Sequence, residues 1–248
     1  MFRKLFKYHK TLAPKIWDND NEINQLVAQS LRMMAFEYVR YLGTVLGLSI
    51  TSHDVIDICV HGSIANYYWD KHSDIDLCVV TDLSKLREKL PDLNHFLFFN
   101  ATQQAWHAIF RAKIFGRTVD IFIFDAPRFQ LEIKTSNDTF YSLLLDKWIV
   151  APKRIPANDL KQMKRMTYKR YRVIVRQCKY MIRNKMAHEF IDTYISTMKT
   201  IRRRSVLEPH GYAITSAQIA FKMARNKGIL LKLRRASQKQ LSRRYTLK

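Results

Sequence analysis

The chain is poor in the residues that punctuate or staple a fold. Glycine and proline number six each in 248 residues, so low-complexity linkers are absent. The three cysteines, Cys59, Cys78 and Cys178, are an odd count with no C-x-x-C spacing. Cys59 and Cys78 lie in apolar runs, as core residues do, and a reducing, cytoplasmic compartment is expected. No apolar run approaches the ~18–20 residues of a membrane span. The N-terminal stretch MFRKLFKYHKTLAPKIW is basic and aromatic without a continuous apolar core, so no signal peptide is expected. Acidic residues are scarce in one region only. Residues 151–248 hold 4 Asp and Glu against 26 Lys and Arg, whereas residues 1–150 hold 17 of each. The whole net charge of +22 therefore lies in the last 98 residues. An excess of this size adds self-repulsion to the compact state, and a balanced surface would serve solubility as well. A polyanionic partner accounts for it better: nucleic acid first, an anionic membrane surface second.

With 47% hydrophobic and 12% aromatic residues the chain is globular, and its length suits one large or two modest domains. Residues 20–47 repeat apolar residues at helical spacing, with Asp20 or Asn21 as a cap and Gly43 or Gly47 as a stop. VIDICVHG (55–62) and SDIDLCVV (73–80) read as strands joined by a connector over 64–72. Residues 82–90 read as a helix, and the stretch 93–108, ambiguous in its pattern, favours a helix through Trp106. IFRAKIF-GR-TVDIFIF reads as a hairpin turning at Gly116-Arg117. NDTFYSLLLDKW (137–148) reads as a capped helix. Pro152 and Pro156 then mark the best boundary, where the charge also steps. Two domains are predicted, 1–150 and 151–248. The second is helical from 158, broken at EPHG (208–211) and resumed in a helix capped by Thr215 or Ser216.

Charge stands where a strand should be apolar. In HGSIANYYWDKHSDIDL (61–77), Asp74 and Asp76 occupy one face of a predicted strand, ten residues after Gly62-Ser63. Asp120 sits in TVDIFIF with no more reason to be charged. If the two strands are neighbours, the three carboxylates converge. Clustered carboxylates repel one another and resist desolvation, unless a divalent cation neutralises them. Oxygen ligands of this kind suit Mg²⁺, which takes its remaining ligands from water and substrate phosphates. Two such ions activate an attacking hydroxyl and steady a leaving pyrophosphate. A glycine followed by serine fits phosphate, through close backbone approach and N–H and hydroxyl donors.

A strand, Gly-Ser, ten residues, Asp-x-Asp on a strand and a third Asp on a later strand together resemble the DNA polymerase beta-type nucleotidyltransferase superfamily. The nearest pattern is that of the bacterial minimal nucleotidyltransferases, GSxA followed by SDIDL, matched here by Gly62, Ser63, Ala65 and residues 73–77. The resemblance spans roughly residues 20–125. It implies an α+β fold: a small mixed β-sheet nucleotidyltransferase domain with flanking helices, then a helical domain. It also implies that Gly62 and Ser63 bind the triphosphate of an NTP, that Asp74 and Asp76 bind two Mg²⁺ ions (Mn²⁺ being the alternative), and that Asp120 binds the catalytic metal and helps deprotonate the acceptor hydroxyl. Ile64, Asn66 and Tyr67 depart from the pattern, which often has Arg and Gly there, and this bears on the substrate rather than on metal binding.

The basic domain points to a nucleic-acid acceptor, RNA favoured over DNA. Lys164, Arg165, Lys169, Arg170 and Arg172, Arg202, Arg203 and Arg204, and Arg234 and Arg235 are the candidate phosphate contacts. Tyr168, Tyr171 and Tyr180 either stack on bases or pack the helices. The expected activity is template-independent transfer of NMP from an NTP to that acceptor, with modification of a protein or small molecule as the competing class. A third class is RNA binding or cleavage. MIRNKMAHEF (181–190) places Arg183, Asn184 and His188 on one side of a predicted helix. This resembles the motif of HEPN domains, some of which are ribonucleases using His as acid or base and Arg to steady the phosphate. His61, at the end of a strand, reads as a packed residue. Tyr67, Tyr68 and Trp69 either stack on an incoming base or cover the sheet edge. Oligomeric state is not legible in the sequence.

Overall fold

The computed structural model describes residues 7–47, 52–204, 212 and 214–245. They divide into two compact units between Lys153 and Arg154. The first unit is built on a mixed six-stranded sheet. The strands are β1 (Val55–His61), β2 (Ile75–Thr81), β3 (Lys113–Ile114), β4 (Arg117–Asp125), β5 (Phe140–Ser142) and β6 (Lys147–Val150), in spatial order β3-β4-β2-β1-β5-β6. All neighbours are antiparallel except β2 and β4, which are parallel. The connection between them contains α2 (Ser84–Lys89) and α3 (His95–Phe110), as a parallel crossover requires.

Both sheet faces are buried, which explains strands that read as near-continuous apolar runs. On one face Ile58, Val60, Leu77, Val79 and Ile121 share a core with Leu31, Ala35 and Tyr38 of α1 (Gln25–Leu46) and Trp106 of α3. On the other, Cys59, Cys78, Val80 and Phe124 pack with Phe129 of α4 (Ala126–Thr135) and Phe140. The side chain of Asn24 caps α1 by accepting from Val27 N, and Gly47 ends it in the left-handed conformation.

Two local expectations are overturned in this unit. Residues 137–148 form not a helix but the β5–β6 hairpin. Its apolar residues are bunched at Phe140, Tyr141 and Leu143 to Leu145, a run too short for periodicity to separate strand from helix. The backbone pairing of Phe140, Tyr141 and Ser142 with β1 decides it, and it leaves Leu144 and Leu145 exposed in the turn. The β3–β4 hairpin turns at Phe115-Gly116, both with positive φ, one residue earlier than expected. Its first strand keeps only two residues, because α3 runs on through Ile109 and Phe110.

The second unit is helical: α5 (Ala157–Arg183), α6 (His188–Arg204), α7 (Ser216–Asn226) and α8 (Ile229–Tyr245). Cys178, Met181, Ile191, Ile195, Met198, Phe221 and Leu233 form its core. A capping box of Thr215 and Gln218 opens α7. The predicted single helix after Thr215 divides at Gly228, whose φ of 70° closes α7 before α8 begins. The EPHG break lies outside the described residues. Among them, no helix is long and apolar enough to cross a membrane.

Candidate active site

The register of three strands gathers charge into one row. Parallel pairing sets Asp76 opposite Asp120, antiparallel pairing sets His61 opposite Asp76, and Phe140 follows beside His61. Cross-strand partners share a face, so the row Phe140–His61–Asp76–Asp120 lies on the face of Cys59 and Cys78. Asp74 precedes β2 by one residue and is exposed. The loop before it is braced. Arg117, the first residue of β4, donates through Nη1 to the carbonyls of Asp70 and Ser73, at 2.8 Å each. Asp70 N donates to Ser73 Oγ at 2.9 Å, and His72 N to Asp70 Oδ1 at 2.7 Å.

Directly after β1 the chain bends through Gly62, φ 74°, into a short 3-10 turn, Gly62–Ala65. A Cβ at Gly62 would stand 2.1 Å from Asp76 Oδ2. The glycine is therefore needed twice, for its backbone angle and for the room it gives the carboxylate. The turn is tied down from both sides. Asn66 Nδ2 donates to Gly62 O at 3.1 Å and to Thr139 Oγ1 at 2.6 Å, Thr139 Oγ1 donates to Ala65 O at 3.1 Å, and Trp17 Nε1 donates to Ile64 O at 3.0 Å. Ser63 is half-buried in this turn.

Each end of the row has its own support. Asp120 Oδ1 accepts from Gln103 Nε2 at 2.7 Å and lies 2.9 Å from His107 Nε2, both one turn apart on α3. His61 Nδ1 meets Asp138 Oδ2 at 3.0 Å, while its ring stacks on Phe140. Burial would lower the His61 pKa, but the hydrogen bond and charge of Asp138, with Cys78 and Asp76, more than offset it and push it up to about 10. Burial pushes Asp76 up to about 6. His61 opposes that shift, and the charges of Asp120, Asp138 and Asp74 add to it.

The raised Asp76 pKa reports burial first and the neighbouring carboxylates second, and a divalent cation beside the carboxylate would offset both. Among the described residues no three His, Cys, Asp or Glu side chains are already arranged to hold a metal ion. The donor chemistry nevertheless fits a hard cation: Asp76 and Asp120 are side by side in register, and Asp74 is two residues from Asp76.

Other expected site residues fall elsewhere. Lys164, Arg165, Lys169, Arg170 and Arg172 are exposed on α5, and Arg234 and Arg235 on α8. The side chains of Arg202, Arg203 and Arg204 lie outside the described residues. Arg183 and His188 do not share a helix, because α5 ends at Arg183 and α6 starts at His188, with Lys185 at φ 46° between them. His188 is engaged at both nitrogens, Nδ1 with Ser237 of α8 and Nε2 with Asp192 at 3.1 Å. In the connector, Tyr67 is buried in the core and Trp69 stacks on His9 at 3.7 Å. Sequence patterning does not mark Gln103, His107, Arg117 or Asp138. The polar i, i+4 pair on α3, a helix of otherwise largely apolar character, is the one signal for the first two.

Residues 48–142 match the family model of the nucleotidyltransferase domain. No curated protein and no solved structure matches the chain. The matched segment contains Gly62, Ser63 and all three aspartates. With its mixed sheet and flanking helices, it is a nucleotidyltransferase domain of the DNA polymerase beta-type superfamily.

Proposed function

We propose that the protein is a Mg²⁺-dependent, template-independent nucleotidyltransferase that moves NMP from an NTP to a nucleic-acid hydroxyl, RNA favoured, and releases pyrophosphate. The observation that carries this is the register of Asp76 with Asp120, with Gly62 packed against the Asp76 carboxylate. Asp74, Asp76 and Asp120 would hold Mg²⁺, with Mn²⁺ as the alternative ion. Bound there, the cation would neutralise triphosphate charge and acidify the acceptor hydroxyl. The Gly62-Ser63 turn presents backbone N–H and hydroxyl donors to the triphosphate. Asp120, oriented by Gln103 and His107, takes up the acceptor's proton. The acceptor oxygen then bonds to the α-phosphorus as the bond to the pyrophosphate oxygen breaks, in line.

The acceptor is assigned from charge. Residues 1–150 form the catalytic domain, and residues 151–248, which carry the whole excess of +22, hold the nucleic acid. Three unpaired cysteines, two of them cross-strand neighbours at Cys59 and Cys78, favour a reducing, cytoplasmic setting.

The test is incubation with Mg²⁺, each α-labelled NTP in turn, and cellular RNA, DNA and protein together, beside Asp74→Ala/Asp76→Ala. Label on RNA with the wild type alone is the expected result. Label on a protein band or a small molecule would overturn the acceptor, and label with neither protein would overturn the activity. Shortening of RNA that Arg183→Ala or His188→Ala abolishes would move the function to the helical unit.

A further inference from the structure

Helix α5 carries nine Lys and Arg between Lys161 and Arg183, and one acidic residue, Asp159. At about 100° per residue, every one of these cations except Arg170 falls within an arc of roughly 140° of the helix surface. All eight are exposed. Their stripe runs about 33 Å along the helix at 1.5 Å per residue, with a cation at almost every turn. Arg170 lies on the far side and borders a groove of about 440 Å³ lined by Phe221 and Met198. The face opposite the stripe is committed to the core through Cys178 and Met181. Among the described residues none of the eight makes an ion pair with an acidic side chain, so the repulsion along the stripe is unrelieved within the unit.

Two aromatic residues accompany the stripe. Tyr168 lies within it, its ring 5.8 Å from the guanidinium of Arg172. Tyr180 lies at its edge and is 63% exposed. A duplex hides its base faces, whereas unpaired bases take up aromatic surfaces beside a cationic backbone track. An interfacial membrane helix needs its apolar face free, and here Cys178 and Met181 on that side are buried in the protein.

We propose that this face of α5 is a track for single-stranded nucleic acid, with the eight cations on its phosphates and Tyr168 and Tyr180 on unpaired bases. It builds on the nucleic-acid acceptor assigned above, whose strand the track would hold. The stripe also revises the sequence-level patch: Lys161, Arg176, Lys179 and Arg183 join it and Arg170 leaves it.

The experiment is fluorescence anisotropy on the full chain without NTP, using a labelled 20-nucleotide RNA as single strand and as duplex, over a salt series. Two triple variants remove the same charge. Arg165→Gln/Arg172→Gln/Arg176→Gln lies on the stripe, and Arg170→Gln/Arg225→Gln/Lys227→Gln lies off it. The on-stripe triple should weaken single-strand binding by at least tenfold and reduce the salt slope by about 2, at roughly 0.7 for each phosphate no longer neutralised. The off-stripe triple should change binding less than threefold. Tyr180→Ala should lower single-strand affinity by roughly five- to a hundredfold and leave duplex binding unchanged. Equal losses in both triples would overturn the track, as would tighter duplex than single-strand binding. Binding to phosphatidylserine vesicles but not to RNA would replace nucleic acid with a membrane surface. Failure of label transfer with the stripe result intact removes the reaction and keeps the track. Label transfer with an indifferent stripe triple removes the track alone.

Discussion

The carboxylate of Asp76 lies so close to Gly62 that a single added methyl group would stand 2.1 Å from its Oδ2. The glycine of the turn after β1 and the central carboxylate of the row are thus one steric unit. Gly62→Ala should displace Asp76 and strain a backbone at φ 74°. The left-handed conformation alone costs about 1–2 kcal/mol for a residue with a Cβ. A misplacement of the carboxylate near 1 Å costs about a hundredfold in rate. We expect nucleotidyl transfer to fall by about that factor while the unit still folds. Thermal unfolding and label transfer on the same sample check both parts. Full activity in Gly62→Ala would show that the turn relaxes without moving Asp76.

Asp76 has a folded-state pKa of about 6 against an ordinary value of 3.8. A raised pKa favours the protonated form in the fold. Its contribution to stability is therefore complete below the unfolded value and is lost as pH rises through about 6. In EDTA, Asp76→Asn should become more stable than the wild type between pH 4 and 7, by on the order of 1–3 kcal/mol. Calorimetry across that range checks it. Added Mg²⁺ should raise the wild-type midpoint at pH 7 more than at pH 5 and leave Asp76→Asn unmoved. The stabilisation tied to the raised pKa of His61 is complete below 6.5 and is lost from there towards about 10, so the comparison is read below pH 6.5.

Gln103 and His107 approach one oxygen of Asp120 from successive turns of α3. Gln103→Leu should lower transfer by roughly ten- to a hundredfold, the range for partners that orient a metal-binding carboxylate, with KM for NTP little changed. His107→Leu should act on the same quantity, and the double variant should lose less than the product of the two. A double-mutant cycle on kcat measures this. Independent, multiplicative losses would mean that the two residues do not share Asp120 as their target.

Arg117 holds the carbonyls of Asp70 and Ser73 with one nitrogen and thereby sets the loop that ends in Asp74. Lysine cannot reproduce a planar guanidinium between two carbonyls. Arg117→Lys should raise the Mg²⁺ concentration for half-maximal activity by about tenfold or more, with a small effect on saturated turnover. A Mg²⁺ titration of activity checks it, and an unchanged titration would show that Asp74 is placed without this clamp.

Much of the catalytic unit is legible in the residues. Strands β1 and β2 are marked by short apolar runs bounded by polar residues, and Asp74, Asp76 and Asp120 by being charges on otherwise apolar strands. Local reading fails at 137–148. Phe140 and Tyr141 are strand residues because β1 offers them backbone partners in His61 and Val60, far away in the chain. The supports of the row are hidden for the same reason. Asp138 finds His61 from 77 residues away, and Gln103 finds Asp120 through a crossover helix. The single helix expected to carry Arg183 and His188 fails in the opposite way. Its spacing is plain, but the chain leaves the helix at Asn184, which no Gly or Pro announces.

The sequence by itself determined which charges stand on apolar strands and where the net charge lies. Carboxylates on apolar strands, a Gly-Ser turn and a net charge confined to the last 98 residues are properties of composition and spacing. Only the tertiary structure decided which carboxylates face each other, because register is a relation between strands that no single strand contains. It also decided that the cations of α5 form one stripe, since helix ends and the buried face fix which side the charges share.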